Sequence, residues 1–148
     1  MIKKIGNYYL TQNINSATGL KVFSEEEYKL SEKAGMKRMF DNEEMYYGQD
    51  VNFASILWDS TTVGSINGKI YKIAIQLIGV DKKKSNWVLN TVVDFINKYI
   101  GKYNKHPFLS DKYIWFTEEQ SVFLNKRQMR DINAINLIFT YKDIEKLR

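Results

Sequence analysis

The clearest alternation of apolar and polar positions lies between Thr61 and Tyr103. Two β-prone runs flank Asn67-Gly68. The second run, Lys69–Ile78, puts Tyr71, Ile73, Ile75 and Leu77 on one face and Lys72, Ala74 and Gln76 mostly on the other. Asn-Gly between such runs predicts a two-residue hairpin loop, because a type I′ turn needs positive φ at both central positions. This register pairs Ile66 with Lys69 and sets Gly64 opposite Tyr71, whose ring can then lie over the bare glycine backbone. A slip of one residue would turn Ile73 and Ile75 to water, so the pairing is well specified.

After a Lys-rich loop the period changes from two to 3.6. Val88, Val92, Ile96, Tyr99 and Tyr103 recur at helical spacing, flanked by Leu89, Val93 and Ile100. Ser85 is the expected N-cap and Gly101 the expected stop, while Lys98 and Lys102 suit the negative end of the helix dipole. A helix this apolar must lie across a sheet.

The rest of the chain reads in shorter pieces. Tyr8–Ile14 and Leu20–Phe23 are expected to pair as a hairpin around Asn15–Gly19. Ser24 and Glu27 form a capping box opening a short helix from Glu25 to about Ala34, stopped by Gly35 and thinly apolar through Tyr28 and Leu30. Met36–Tyr47 fits either a helical face or a short hairpin turned at Asp41-Asn42. Val51–Trp58 is apolar on both faces and reads as a central strand. The single proline, Pro107, sits in a loop from Asn104 to Ser110. Tyr113–Thr117 and Gln120–Asn125 predict a second hairpin across Glu118-Glu119, pairing Trp115 with Val122, Ile114 with Phe123 and Tyr113 with Leu124. Both of its faces are apolar, which predicts an interior or helix-covered position. Lys126–Arg130 is the connection to a last strand, Ala134–Tyr141, with Ile135, Leu137, Phe139 and Tyr141 on one face. Thr140 and Asp143 suggest the cap of a short C-terminal helix carrying Ile144 and Leu147.

These elements predict one α+β domain over 1–148, a mostly antiparallel sheet built from hairpins with the helix at about 85–103 packed across it. A chain of 148 residues can bury a sizeable core, and 44% hydrophobic with 26% charged residues is ordinary globular composition. There is no cysteine, so neither disulfide nor thiolate chemistry is expected. No apolar run approaches the ~20 residues of a membrane span, and Met1–Ile5 lacks the apolar run of a signal peptide. The expected compartment is cytoplasmic, unless a removed leader once preceded this sequence. The Lys/Ile/Asn-rich usage is of a bacterial kind.

Charge changes the picture more than composition does. Residues 1–67 hold seven Lys/Arg against nine Asp/Glu, and residues 68–148 hold fifteen against eight, giving −2 and +7 within the overall +5. The basic half therefore points towards an anionic partner. Its candidate contacts are Lys82, Lys83 and Lys84, placed before a helix N-terminus, and the cluster Lys126, Arg127 and Arg130.

Candidate chemistry is sparse. His106 is the lone histidine, without a companion at metal-ligand spacing. Glu43-Glu44 and Glu118-Glu119 are adjacent carboxylates, which point to opposite faces if extended and so form no acid/base pair. Asp59 beside Ser60, Thr61 and Thr62 has no placed base to activate a hydroxyl. No nucleotide-binding, zinc or redox motif occurs, and no cofactor or metal is expected. Basic residues interleave with aromatics from Lys98 to Trp115, a composition suited to single-stranded nucleic acid. Against that, Tyr99 and Tyr103 share the apolar helix stripe, and only four of 22 basic residues are arginine. The expectation is a non-enzymatic binding protein that contacts a macromolecular partner, foremost another protein, through its basic C-terminal half. Single-stranded nucleic acid binding and catalysis without a linear motif are the alternatives.

The helix is the most testable of these elements. Val92→Pro removes a mid-helix hydrogen bond and should cost about 3 kcal/mol or more. Circular dichroism and thermal unfolding should show a collapse of the fold; an unchanged variant would refute the helix.

Overall fold

The computed structural model describes residues 1–33, 38, 40, 42–105, 111–129 and 132–147. In chain order the strands begin with a small ribbon, β1 (Lys4–Ile5) against β2 (Tyr8–Tyr9), followed by β3 (Lys21–Val22). Helix α1 (Glu25–Lys33) precedes β4 (Glu43–Tyr47), and a second ribbon pairs β5 (Asn52–Phe53) with β6 (Ile56–Leu57). Strands β7 (Ser60–Ile66) and β8 (Lys69–Val80) lead into helix α2 (Lys82–Ile100). The chain closes with β9 (Asn104–Lys105), β10 (Lys112–Phe116), β11 (Gln120–Met129) and β12 (Ile132–Tyr141). Short 3-10 turns occupy Ile14–Ser16 and Ile144–Leu147.

Eight strands form one antiparallel sheet in the order β3-β4-β7-β8-β12-β11-β10-β9. The fold is therefore α+β, as the alternation and the single amphipathic helix predicted. Helix α2 carries the chain from the centre of the sheet at β8 to its far edge at β9. Nineteen helical residues span about 28 Å at 1.5 Å each. That exceeds the roughly 19 Å of four strand spacings, so the helix is long enough to carry the chain from β8 to β9.

One sheet face is apolar and covered. Ile73, Ile75 and Leu77 of β8, Ile135, Leu137 and Phe139 of β12, and Val122 and Leu124 of β11 are buried there. Val88, Leu89, Val92 and Ile96 bring the buried stripe of α2. Each such side chain contributes roughly 1.5–3 kcal/mol of gross transfer free energy. Two polar contacts fix where the layers meet. The Trp115 indole donates to Asn97 Oδ1 at 2.9 Å, and Gln120 exchanges two hydrogen bonds with the Ile2 backbone, at 2.9 and 2.6 Å.

Two of the three predicted hairpins form, across Asn67-Gly68 and across Glu118-Glu119. Asn67 and Gly68 have φ of 52° and 75°, and Ile66 pairs with Lys69. Trp115–Val122, Ile114–Phe123 and Tyr113–Leu124 are paired as expected. The Ser24–Glu27 capping box forms with bonds of 3.0 and 3.2 Å, and the hydrogen bond from the Ser24 backbone holds the Glu27 carboxyl below its ordinary value.

Several boundaries are corrected. A bulge between Gly64 and Ser65 pairs Gly64 with Lys72 rather than Tyr71. The Tyr71 ring still covers the glycine, because a Cβ there would lie 3.1 Å from Tyr71 Cε1. Tyr71 thus leaves the face of Ile73 and Ile75. Helix α2 opens at Lys82, capped by Asp81, whose Oδ1 accepts from the Lys84 N–H at 2.8 Å. Ser85 is instead buried inside the first turns and donates to the Asp81 carbonyl. Tyr8–Ile14 does not pair with Leu20–Phe23. The backbone of Thr11, Gln12 and Ile14 bonds to Ile70 and Gly68, and β3 pairs with β4. Val51–Trp58 folds into the β5–β6 ribbon, because Ala54 and Ser55 take φ of 55° and 63° and reverse the chain. Strand β11 runs on through Lys126 and Arg127 instead of ending at Asn125. Thr140 stays within β12 and the C-terminal turn is 3-10, not an α-helix. Met45–Tyr47 is a strand between β3 and β7; Gly35, Met36, Met39 and Asp41, on which the other readings of that segment rested, lie outside the described residues.

The loop of the central hairpin generates a prediction. A Cβ on Gly68 would meet open space, so Gly68→Ala is penalised only by its φ of 75°. Left-handed strain of 1–2 kcal/mol, less the gain from stiffening the unfolded chain, leaves a net cost of about 1 kcal/mol. Gly68→Asn should recover most of it, since Asn tolerates this conformation. Urea unfolding of the two variants measures both.

Candidate functional site

Period-2 geometry sends the other half of each strand to the opposite face of the sheet, which solvent reaches along β8, β10, β11 and β12, while at its β4 end Phe23 stacks on Tyr47 and Glu27 of α1 hydrogen-bonds to it. Cross-strand partners stand side by side on it. Ile114, Phe123, Ile138, Ala74, Thr62 and Tyr47 form a continuous row through β10, β11, β12, β8, β7 and β4. At about 4.8 Å per strand this row runs for about 24 Å. Beside it lies a polar row, Lys112, Asn125, Asn136, Gln76 and Ser60. On its other side Phe116, Ser121, Thr140, Lys72 and Gly64 are neighbours. Phe116 is 59% exposed and Ile78 is 53% exposed, confirming that solvent reaches this face. The expectation that the β10–β11 hairpin is interior to the sheet or helix-covered holds: it lies between β12 and β9, and helix α2 covers its Trp115 side.

Between the apolar and amide rows lies a depression of about 270 Å³, lined by Phe123, Ile138, Ala74, Asn125, Asn136 and Arg127 among others. Gln76 Nε2 donates to Asn136 Oδ1 at 2.6 Å, so this amide pair is oriented. Asn125 is only 7% exposed, and its Oδ1 has no hydrogen-bond partner among the described residues. A buried acceptor left so costs of the order of 1–3 kcal/mol unless a donor reaches it. At the opposite corner Glu43 is buried and ion-paired with Lys72 at 3.1 Å. Burial, with that carboxylate nearby, pushes the Tyr71 phenol far above its ordinary value and keeps it neutral.

The basic residues singled out from the sequence are divided by this geometry. Lys82, Lys83 and Lys84 are exposed in the first turn of α2 itself, not in a preceding loop. There they stand at the positive end of the helix dipole, which Asp81 offsets. Lys83, Lys84, Asp81 and the exposed Trp87 surround a shallow hollow of about 320 Å³. Lys126 and Arg127 are consecutive in β11 and point to opposite faces. Lys126 turns towards the helix-covered side and pairs with Asp111 at 3.3 Å, whereas Arg127 lines the open depression. All of them sit towards the same end of the sheet, since Val80 pairs with Asn133 and Ile78 with Ala134, the partner of Arg127. Arg130 and His106 lie outside the described residues. Tyr99, placed in the core from its spacing, is 66% exposed, while Tyr103 packs on Tyr113 and Trp115.

A larger hollow of about 410 Å³ lies between the N-terminal segment and α2, with Lys3, Lys4, Phe53, Phe95 and Tyr99 in its wall. It gathers no converging polar side chains comparable to the amide row. Among the described residues no three His, Cys, Asp or Glu side chains cluster as metal ligands, and no helix is long and apolar enough to cross a membrane. No protein-family model, curated protein or solved structure matches the chain. Its function is accordingly read from its own geometry.

What the sequence reading missed is the uncovered face, and the signal was present in the alternation of β11: Ser121, Phe123, Asn125 and Arg127 all fall on one side. Placing Lys82, Lys83 and Lys84 within the helix also has a consequence for stability. Reversing all three to Glu replaces cations by anions at the positive dipole end. The triple variant should be at least as stable as the parent in urea unfolding; a clear loss would contradict the placement.

Proposed function

We propose that this protein is a non-enzymatic binding module that holds a macromolecular partner with an anionic contact surface against the uncovered face of its sheet. The observation that carries this reading is the composition of that face. An apolar row lies between an amide row and a row ending in exposed Phe116, with Lys112 and Arg127 among them. Glu43, at the corner of this face, is neutralised by its ion pair with Lys72 at 3.1 Å. The basic C-terminal half thus supplies the charge, through residues set on a rigid strand framework rather than through a loop. Such a face suits occluding or anchoring a partner, since apolar contact gives affinity while the cations steer approach and orientation.

Capture from an extract of the native source with immobilised full-length protein tests this. The parent should retain a macromolecule that the double variant Phe116→Asp/Arg127→Glu does not, with circular dichroism and thermal unfolding of the variant unchanged. Equal retention by both proteins, or recovery of a small metabolite alone, would overturn the reading.

A further inference from the structure

Two phenylalanines on the uncovered face are close neighbours. Ile114 pairs with Phe123 and Phe116 with Ser121, so Phe116 and Phe123 stand diagonally on adjacent strands. Diagonal neighbours on an antiparallel pair are roughly 7–8 Å apart. Lys142 Nζ lies 5.7 Å from the Phe116 ring centroid and is held there by a 2.8 Å bond to the Thr117 carbonyl. Lys112 is the cross-strand neighbour of Asn125, and Arg127 lies two positions further along the same face of β11. The amides Asn125, Asn136 and Gln76 follow as an unbroken row, each able to donate and accept. Asn125 Oδ1, buried in the depression, still lacks a donor among the described residues.

We propose that this face binds single-stranded nucleic acid, with bases laid on Phe116 and Phe123, base edges against the amide row, and phosphates along Lys142, Lys112 and Arg127. The proposal rests on the reading of the uncovered face as the contact surface and names the partner. Flat aromatic platforms flanked by cations suit bases that are already unstacked. A broad sheet face cannot enter a duplex groove as a helix or two-stranded ribbon does. An acidic protein would also meet the cations. Here the cations stand apart along the face, Lys142 beside the exposed Phe116 ring at one end and Arg127 at the other, a spacing that suits the regular phosphates of a strand laid between them.

The test is fluorescence anisotropy of the full chain with fluorescein-labelled dT20 and rU20 at 20 and 200 mM NaCl. Saturable binding to at least one probe is expected, weakening steeply with salt and resisting competition by unlabelled duplex. Phe116→Ala removes an exposed ring and should weaken binding by about 5- to 100-fold, the effect of losing one base–aromatic stack. Arg127→Gln should flatten the slope of log affinity against log salt by about 0.7 for the lost phosphate contact. Lys98→Glu, on the exposed side of α2, should change binding by less than about 2-fold, within the range of a distant screened charge. If Lys98→Glu weakens binding as much as Arg127→Gln, the attraction is unspecific and the site is wrong. If neither probe binds at 20 mM NaCl, nucleic acid is excluded as the partner. In that event, loss of a captured protein by the Phe116→Asp/Arg127→Glu variant would preserve the wider reading with an acidic protein as occupant, and equal capture by parent and variant would end both.

Discussion

Strand β8 is the element on which the rest of the structure depends. Its backbone is paired on both sides, with β7 through a two-residue turn and with β12 through a long antiparallel ladder. Twelve residues of ordered backbone represent a large entropic cost, roughly 1–2 kcal/mol each. The ladders satisfy its polar groups, and the burial of Ile73, Ile75 and Leu77 under α2 drives the ordering. Both departures from regular pairing sit near its ends. The bulge opposite Gly64 swings Tyr71 onto the face of Lys72 and Glu43, and Gly79, at a φ of 75°, falls between the pairs Ile78–Ala134 and Val80–Asn133. The second irregularity releases the chain into the Asp81 cap and so aims α2 back across the sheet.

The parts of this architecture legible in the sequence are those where local chemistry and long-range packing agree. Asn67-Gly68 needs left-handed backbone and finds it, and the register of Ile114 with Phe123 follows from a two-residue loop. The illegible parts are those where two local signals compete. Asp81 and Ser85 are both good caps, and the lysines between them read as a loop until the helix is seen to bury Ser85. Val51–Trp58 has the apolar density of a central strand, but Ala54 and Ser55 accept positive φ without the glycine or asparagine that would announce a turn. Burial of Val51, Phe53, Ile56 and Trp58 offsets that strain. Tyr8–Ile14 and Leu20–Phe23 do not pair because each finds a partner elsewhere, Thr11–Ile14 at the turn end of β8 and Lys21–Phe23 on β4, which no local signal announces.

The candidate site was harder to see for a different reason. A cluster of basic residues in sequence is a cluster in space only if the local geometry keeps it together. Lys126 and Arg127 are separated by the thickness of the sheet because they are neighbours on a strand. Phe116, Asn125 and Gln76, widely spaced along the chain, share a face because their strands are adjacent. The two sheet faces thereby divide two tasks: the apolar one holds α2, and the mixed one remains available without cost to the core.

The margins of the sheet give this division a further meaning. Among the described residues its outermost strands, β3 and β9, are two residues long each. A visiting chain that tried to extend the sheet would find few backbone positions to pair with, too few to repay the ordering of a strand. Recognition at the broad surface is instead a matter of side chains alone. A partner of the proposed kind would arrive and leave while every ladder stays closed, so its exchange would not wait on any unfolding step and would be paced by charge and solvent.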